Sequence, residues 1–183
     1  MDIFSLDFIN SLRHDYLDGQ GAEDRFAQEA WRQAFLASYK FDVSESLNPN
    51  TLKKMQDFRA WLRQALEHVV TRGELAAKDV EIANSYLAKV QVSRKAKADE
   101  NGNFEVVCTP LTKDWEWFQS EVIQSFFVML SSVDKTQIKI CSNPNCRWIY
   151  YDDTKNHSQN WCDSTCANLM RVRRSRARQK LGQ

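Results

Sequence analysis

Four of the chain's five cysteines fall within 26 residues, as Cys141-x4-Cys146, a spacer of 15 residues, and Cys162-x3-Cys166. Two close thiol pairs at that separation have the form of a structural zinc site, because each pair can present two sulfurs to one tetrahedral ion. The competing chemistry is a pair of disulfides, which needs an oxidising compartment. Met1-Asp2-Ile3-Phe4 opens with an acid where a secretory leader carries basic residues, and no small-residue cleavage site follows an apolar core. The expectation is a cytoplasmic protein with reduced thiols, holding one Zn2+ per chain through Cys141, Cys146, Cys162 and Cys166. Four thiolates close the coordination shell and leave no place for a water, so the ion is structural and metal-dependent hydrolysis is not expected. Cys108 stands apart from this set.

The residues around the two pairs show how such a site is built. Ile138-Lys139-Ile140 leads into Cys141-Ser142-Asn143-Pro144-Asn145-Cys146, where a proline and two asparagines suit a tight turn that aims two thiolates at one point. Residues 147–151 are predicted as a strand, 152–158 as a polar turn and 159–161 as the returning strand. Asp163 or Ser164 can cap a helix carrying Cys166 in its first turn, where the positive end of the helix dipole favours a thiolate. Knuckle, hairpin and a helix supplying two ligands from its start make a treble clef. So short a segment has too little apolar surface to fold alone, and bound zinc supplies an apparent ~10–16 kcal/mol in comparable peptides.

Charge is distributed unevenly about this module. Residues 1–133 carry 15 Lys and Arg against 20 Asp and Glu, and residues 134–183 carry 10 against 4, so a net charge of +1 conceals a basic C-terminal part. The last 13 residues hold Arg171, Arg173, Arg174, Arg176, Arg178 and Lys180 with no acid among them. On a helix, Arg171, Arg174 and Arg178 share one side and Arg173, Arg176 and Lys180 the other, while Leu169, Met170 and Val172 are apolar only over the first turns. A solvated, fraying tail is the plain reading of such a run. The alternative is a polyanionic partner, since cations all round a helix repel one another and the arginine fork suits phosphate.

Upstream, five glycines and three prolines in 183 residues amount to about a third of the usual share, too few for a sandwich or barrel of many tight turns. Helical periods are predicted over 3–16 (a first helix, or a short strand leading into one), 22–39, 52–70, 78–89 and 113–132. Thr51 is the expected cap of the third helix and Gly73 its stop; the stripe of the fifth is Trp115, Phe118, Val122, Phe126, Met129 and Val133. Between the last two, residues 91–96 and 104–108 flank Asp99-Glu100-Asn101-Gly102-Asn103, a hairpin signal because Asn and Gly tolerate positive φ. Trp31, Trp61, Trp115 and Trp117 read as core residues rather than a ligand pocket, and His14 and His68 stand apart from any ligand constellation. No Gly-rich phosphate loop, Gly-x-Ser-x-Gly elbow or His-Glu-x-x-His pair occurs, so the chain is not read as an enzyme. The longest apolar run, Phe126 to Leu130, is far short of the roughly 20 residues that span a bilayer. The expected architecture is α+β, mostly α: a helical domain with a small β-hairpin over residues 1–133, then a treble-clef zinc finger over 134–183.

Over residues 141–180 the sequence resembles the CGNR zinc-finger family of bacterial regulators. The four cysteines fit its ligands, Asp152 the acid ending its first strand, Lys155 a basic turn position, Trp161 the tryptophan before the third ligand, and Arg171 to Arg178 its basic tail. The naming motif departs here to Cys166-Ala167-Asn168-Leu169, and Gln159-Asn160 stand where basic residues are usual. The helix order, residues 73–84 and the hairpin before Trp115 are similar to the ABATE domain that precedes this finger. The resemblance implies a transcription regulator with an N-terminal sensing domain and a DNA-binding finger, at work on the nucleoid.

From these residues the expected partner is nucleic acid, duplex DNA before RNA, contacted by Lys155, Asn168, Arg171, Arg173, Arg174, Arg176, Arg178 and Lys180. Asn168, a polar side chain near the start of the helix, is the candidate for reading sequence, with steadying the zinc site as its competing role. RNA is the alternative, with Trp148, Tyr150 and Tyr151 stacking bases if exposed, and a protein adaptor is a third reading. A nuclease is disfavoured, because His157 is the module's only histidine. Whether residues 1–133 bind a small-molecule effector or form a homodimer is open at this level.

Overall fold

The computed structural model describes residues 3–181; Met1, Asp2, Gly182 and Gln183, the outermost residues of the two expected domains, lie outside it. Its elements are α1 (Phe4–Ile9), β1 (Leu12–His14), β2 (Ala22–Asp24), α2 (Glu29–Ser38), α3 (Pro49–Arg72), α4 (Ala77–Leu87), β3 (Val92–Ala98), β4 (Phe104–Pro110), α5 (Trp115–Ser132), β5 (Ile138–Ile140), β6 (Ile149–Tyr151) and α6 (Ser164–Leu181). Three antiparallel two-stranded sheets, β1–β2, β3–β4 and β5–β6, complete an α+β, mostly helical architecture. No helix among the described residues is long and apolar enough to cross a membrane.

The core is organised on a very short helix. Phe8 and Ile9 of α1 are fully buried among Phe58 and Leu62 of α3 and Phe118, Val122 and Ile123 of α5. Phe8 meets Phe26 and Phe118 edge to face, with ring centroids 5.1 and 5.2 Å apart, an arrangement that adds directional attraction to burial. The helix stops where its side chains find partners elsewhere. Ser11 Oγ turns back to the Phe8 carbonyl at 2.7 Å, and the Asn10 carboxamide reaches Ile149. The first element is therefore the expected helix, cut short at Ile9 and followed by a strand rather than led into by one.

The second helix is shorter than predicted, starting at Glu29, because residues 22–24 pair with β1 instead. Asp24 then caps the following turn and grips Arg59 of α3, with both carboxylate oxygens 2.7 Å from the guanidinium. Asn48 caps α3 in place of Thr51: Pro49 occupies the first helical position and the Asn48 side chain accepts from the Thr51 amide at 3.0 Å. Gly73 closes the helix in the left-handed region, φ +77°, as expected. On α4, Ala83 is buried while Val80 and Leu87 are exposed; the helix also buries Asp79, which accepts from Trp61 Nε1 at 3.1 Å. The β3–β4 hairpin pairs Val92 with Pro110 through Ala98 with Phe104, and the α5 stripe is buried from Trp115 to Met129.

The C-terminal module is tied to this body. Ile138 and Ile149 belong to the same apolar cluster as Phe58 and Phe126, so the core runs on past residue 133. The expected return strand over 159–161 is absent. β6 pairs with β5, Ile138 opposite Tyr151 and Ile140 opposite Ile149, so the knuckle is the turn of the hairpin. Gln159 spends its amide N–H on Asp152 and its side chain on the Trp161 and Cys162 carbonyls, which holds 159–161 as an extended connection without a ladder.

Candidate metal centre and basic helix

Cys141 and Cys146 are placed by the turn between β5 and β6. The Cys141 amide donates to the Trp148 carbonyl at 2.8 Å, and the Cys146 amide to Asn143 at 3.0 Å. Asn143 is fully buried; its Nδ2 donates to the Tyr16 carbonyl at 2.9 Å and lies 3.5 Å from Cys166 Sγ. Cys162 precedes α6 and Cys166 lies in its first turn, where the Cys166 amide donates to Asp163 Oδ1 at 2.8 Å. Asp163, rather than Ser164, is thus the cap.

The four ligand sulfurs lie within 4.8 Å of one another, and those of Cys146 and Cys162 are 3.6 Å apart. That is far beyond a disulfide bond of about 2.05 Å. It matches the ~3.8 Å between sulfurs set tetrahedrally about an ion at ~2.3 Å. Three of the sulfurs' residues are buried. Hydrogen bonds from the Cys146 and Cys162 thiols pull Cys141 far down, and the thiolate so formed pushes Cys146 up to about 12 and Cys162 higher still. Four sulfurs this close oppose one another's charge, and a divalent cation at their centre is what stabilises them together as thiolates. The donor set fits one structural zinc held by Cys141, Cys146, Cys162 and Cys166. Cys108 lies exposed on β4, away from them.

The turn that carries the second pair hangs on Asp152, fully buried at the end of β6. Burial alone would raise this carboxyl. Lys139 Nζ at 2.6 Å, the Thr154 hydroxyl and amide, and the Gln159 amide outweigh it and hold the group well below the usual carboxylate range. Burial, then the Cys141 charge, pushes the Tyr150 phenol up, and its hydroxyl donates to the Gln159 carbonyl at 2.8 Å.

Helix α6 then leaves the module. Beyond Met170 all its side chains from Arg171 to Lys180 are exposed except the half-buried Arg173, whose guanidinium donates to the Leu17 carbonyl. Arg174 stacks over Trp161 with its guanidinium 5.3 Å from the ring centroid. Arg171, Arg174 and Arg178 line a groove of about 480 Å³ floored by Trp161, Ala167 and Ala177. Arg176, Arg178 and Lys180 have no hydrogen-bond or ion-pair partner among the described residues. Asn168 is exposed and accepts from Arg171 at 3.5 Å. Lys155 is exposed in the turn before α6, and no hydrogen bond or ion pair ties it to the helix.

Residues that sequence reasoning missed join the module to the body. Asn10 Nδ2 donates to the Ile149 carbonyl at 2.7 Å while its Oδ1 accepts from the Ile149 amide at 3.1 Å. Arg63, buried on α3, donates to the Arg147 carbonyl and pairs with Glu67 at 2.8 Å. Burial pushes its guanidinium down from the ordinary value. Asn145 donates to the Leu17 carbonyl at 3.1 Å. Of these only the Asn-Pro-Asn turn carried a local signal; Asn10 and Ile149 are 139 residues apart.

Two families match the chain. The family described as "Putative stress-induced transcription regulator", ABATE, matches residues 3–115, and the CGNR zinc finger matches residues 137–179. Neither description names a catalytic activity. No curated protein matches the chain.

Proposed function

The chain belongs to the ABATE family and ends in a CGNR zinc finger, and from that premise we propose that it is a cytoplasmic transcription regulator that binds duplex DNA through α6 and catalyses no reaction. The observation that carries this reading is the helix itself: from Arg171 to Lys180 it is exposed nearly all round, holds six cations and no acid, and has no apolar face to bury. A helix so built is stabilised when phosphates screen its arginines. Residues 134–183 are then the reading unit and residues 1–133 the unit that takes up a signal, whether a small-molecule effector or a second copy of the chain. The zinc fixes the start of α6 and contributes no chemistry.

Duplex DNA is favoured over single-stranded RNA by the state of the aromatic strand. Trp148 and Tyr151 are half-buried and Tyr150 is buried, with both phenols engaged, on Gln159 and on Gln137. The buried Tyr150 ring offers no face to a base, and Tyr151 is turned onto Gln137. Arg173 is held by Leu17, so the phosphate contacts fall to Arg171, Arg174, Arg176, Arg178 and Lys180. If about four of these touch phosphate, log Kd plotted against log salt has a slope of magnitude about 3.6. Replacing Arg174 and Arg178 together flattens it by up to about 2 and weakens all duplexes alike. Fluorescence anisotropy on duplex DNA and single-stranded RNA of equal length tests this; salt-insensitive binding, or tighter binding to the RNA, refutes it.

A further inference from the structure

The β3–β4 hairpin is left with two open edges. Ser93, Val107 and Thr109 on one face are half-buried, whereas Val92, Ala96, Ala98, Phe104, Val106 and Cys108 on the other are exposed, Phe104 by 84% and Val106 by 70%. Neither outer edge has a strand beside it among the described residues, and two strands alone are marginal in water. Hydrogen bonds at the ends of the hairpin fix which backbone groups are free. The Asp99 amide donates to the Asn103 carbonyl and the Leu111 amide to Gln91, so odd-numbered residues bond within the hairpin and even-numbered ones turn N–H and C=O outward. On β4 these are Phe104, Val106 and Cys108; Pro110 has no N–H and ends the edge.

The two edges differ in charge. β3 carries Arg94, Lys95 and Lys97, the device that blunts an exposed edge. β4 carries only Glu105. We propose that β4 is a dimerisation edge, pairing antiparallel with β4 of a second copy of this chain about a two-fold axis at Val106. In that register Val106 opposes its own copy and Phe104 opposes Cys108, and each pair exchanges both backbone hydrogen bonds. Glu105 opposes Val107, so no like charges meet. Pairing through β3 would set lysines and arginine against their copies. Head-to-tail pairing of β3 on β4 leaves a free edge at each end and does not close. The two-fold arrangement leaves only the cationic edges outermost. It does not depend on what α6 binds.

Sedimentation equilibrium of the zinc-loaded full chain, from low to high micromolar concentration, should show a reversible monomer–dimer equilibrium. Val106→Lys sets two lysines face to face at the axis and should weaken it by about a hundredfold or more, with one zinc per chain retained. In a Cys108→Ser background, Val106→Cys should form an intermolecular disulfide on mild oxidation, because hydrogen-bonded partners lie about 5.5 Å apart at Cα. Val107→Cys, off the axis and on the opposite face, should not. The Val106→Cys result decides the matter should Val106→Lys lose its zinc. A wild-type chain that stays monomeric, a Val106→Lys chain that dimerises as well as wild type, polymers that lengthen with concentration, or equal cross-linking at 106 and 107 would each overturn the proposal.

Discussion

Replacing Asn10 by alanine should be strongly destabilising, although it lies far from the cysteines in the sequence. Cys141 bonds to Trp148 and Asp152 to Gln137, so the intervening Ile149 turns its N–H and C=O away from β5, and Asn10 receives both. Asn10 is 2% exposed and Ile149 fully buried, so no water replaces the carboxamide without rearrangement. Each buried polar group left unpaired costs about 1–3 kcal/mol, so the pair costs ~2–6 kcal/mol. With a slope of about 2 kcal/mol per molar urea, the unfolding midpoint should fall by roughly 1–3 M. Because Ile149 lies on the strand that follows the knuckle, zinc release to a chromogenic chelator should move to lower urea together with the loss of helical signal. Asn10→Asp keeps an acceptor for the amide but sets an oxygen against the carbonyl, and should do no better at neutral pH. A midpoint shift under about 0.3 M, or helix loss unaccompanied by zinc release, would refute the reasoning.

Cys162→Ser should lose the zinc and Cys108→Ser should retain one ion per chain, as read by elemental analysis; equal content in both, or loss only in the second, contradicts the assignment. Burial would raise the Asp24 carboxyl, but the Arg59 guanidinium outweighs it and holds the group low, so its stabilisation is present above the usual carboxylate range and is lost as pH falls through the folded value. Asp24→Asn should therefore be less stable than wild type at neutral pH, with the gap closing as the pH drops below about 3.8 in chemical unfolding. Gly19 has φ +77° and a Cβ there would lie 2.9 Å from the Asn145 side chain, which is itself bonded to Leu17. Gly19→Ala should lower stability by about 1–2 kcal/mol in thermal unfolding and speed zinc exchange; an unchanged chain would show that this loop does not brace the knuckle. Asn168→Ala should retain zinc and relax sequence preference in selection from a random duplex pool if Asn168 reads a base, whereas lost zinc affinity with unchanged preference would assign it to the metal centre.

What the sequence determined by itself is local. Close cysteine pairs, the Asn-Pro-Asn turn, the Asp99 to Asn103 loop, the α5 stripe and the acid-free run after Met170 carry their meaning within a few residues. Periodicity, turn chemistry and ligand spacing are short-range properties, so the zinc ligands, the hairpin and the basic helix were legible. Where the reading went astray, a side-chain partner outside the local pattern had overridden it. The period over 3–16 breaks because Asn10 is drawn to Ile149, the helix over 22–39 starts late because Asp24 belongs to Arg59, and the strand expected over 159–161 gives way to Asp152. The same cause divided the arginines: only the tertiary structure ties Arg173 to Leu17, lays Arg174 on Trp161 and leaves Arg176, Arg178 and Lys180 without partners. A side chain's reach for a backbone group more than 100 residues away leaves no mark on the pattern around it, and in this chain such reaches hold the zinc module against the helical body.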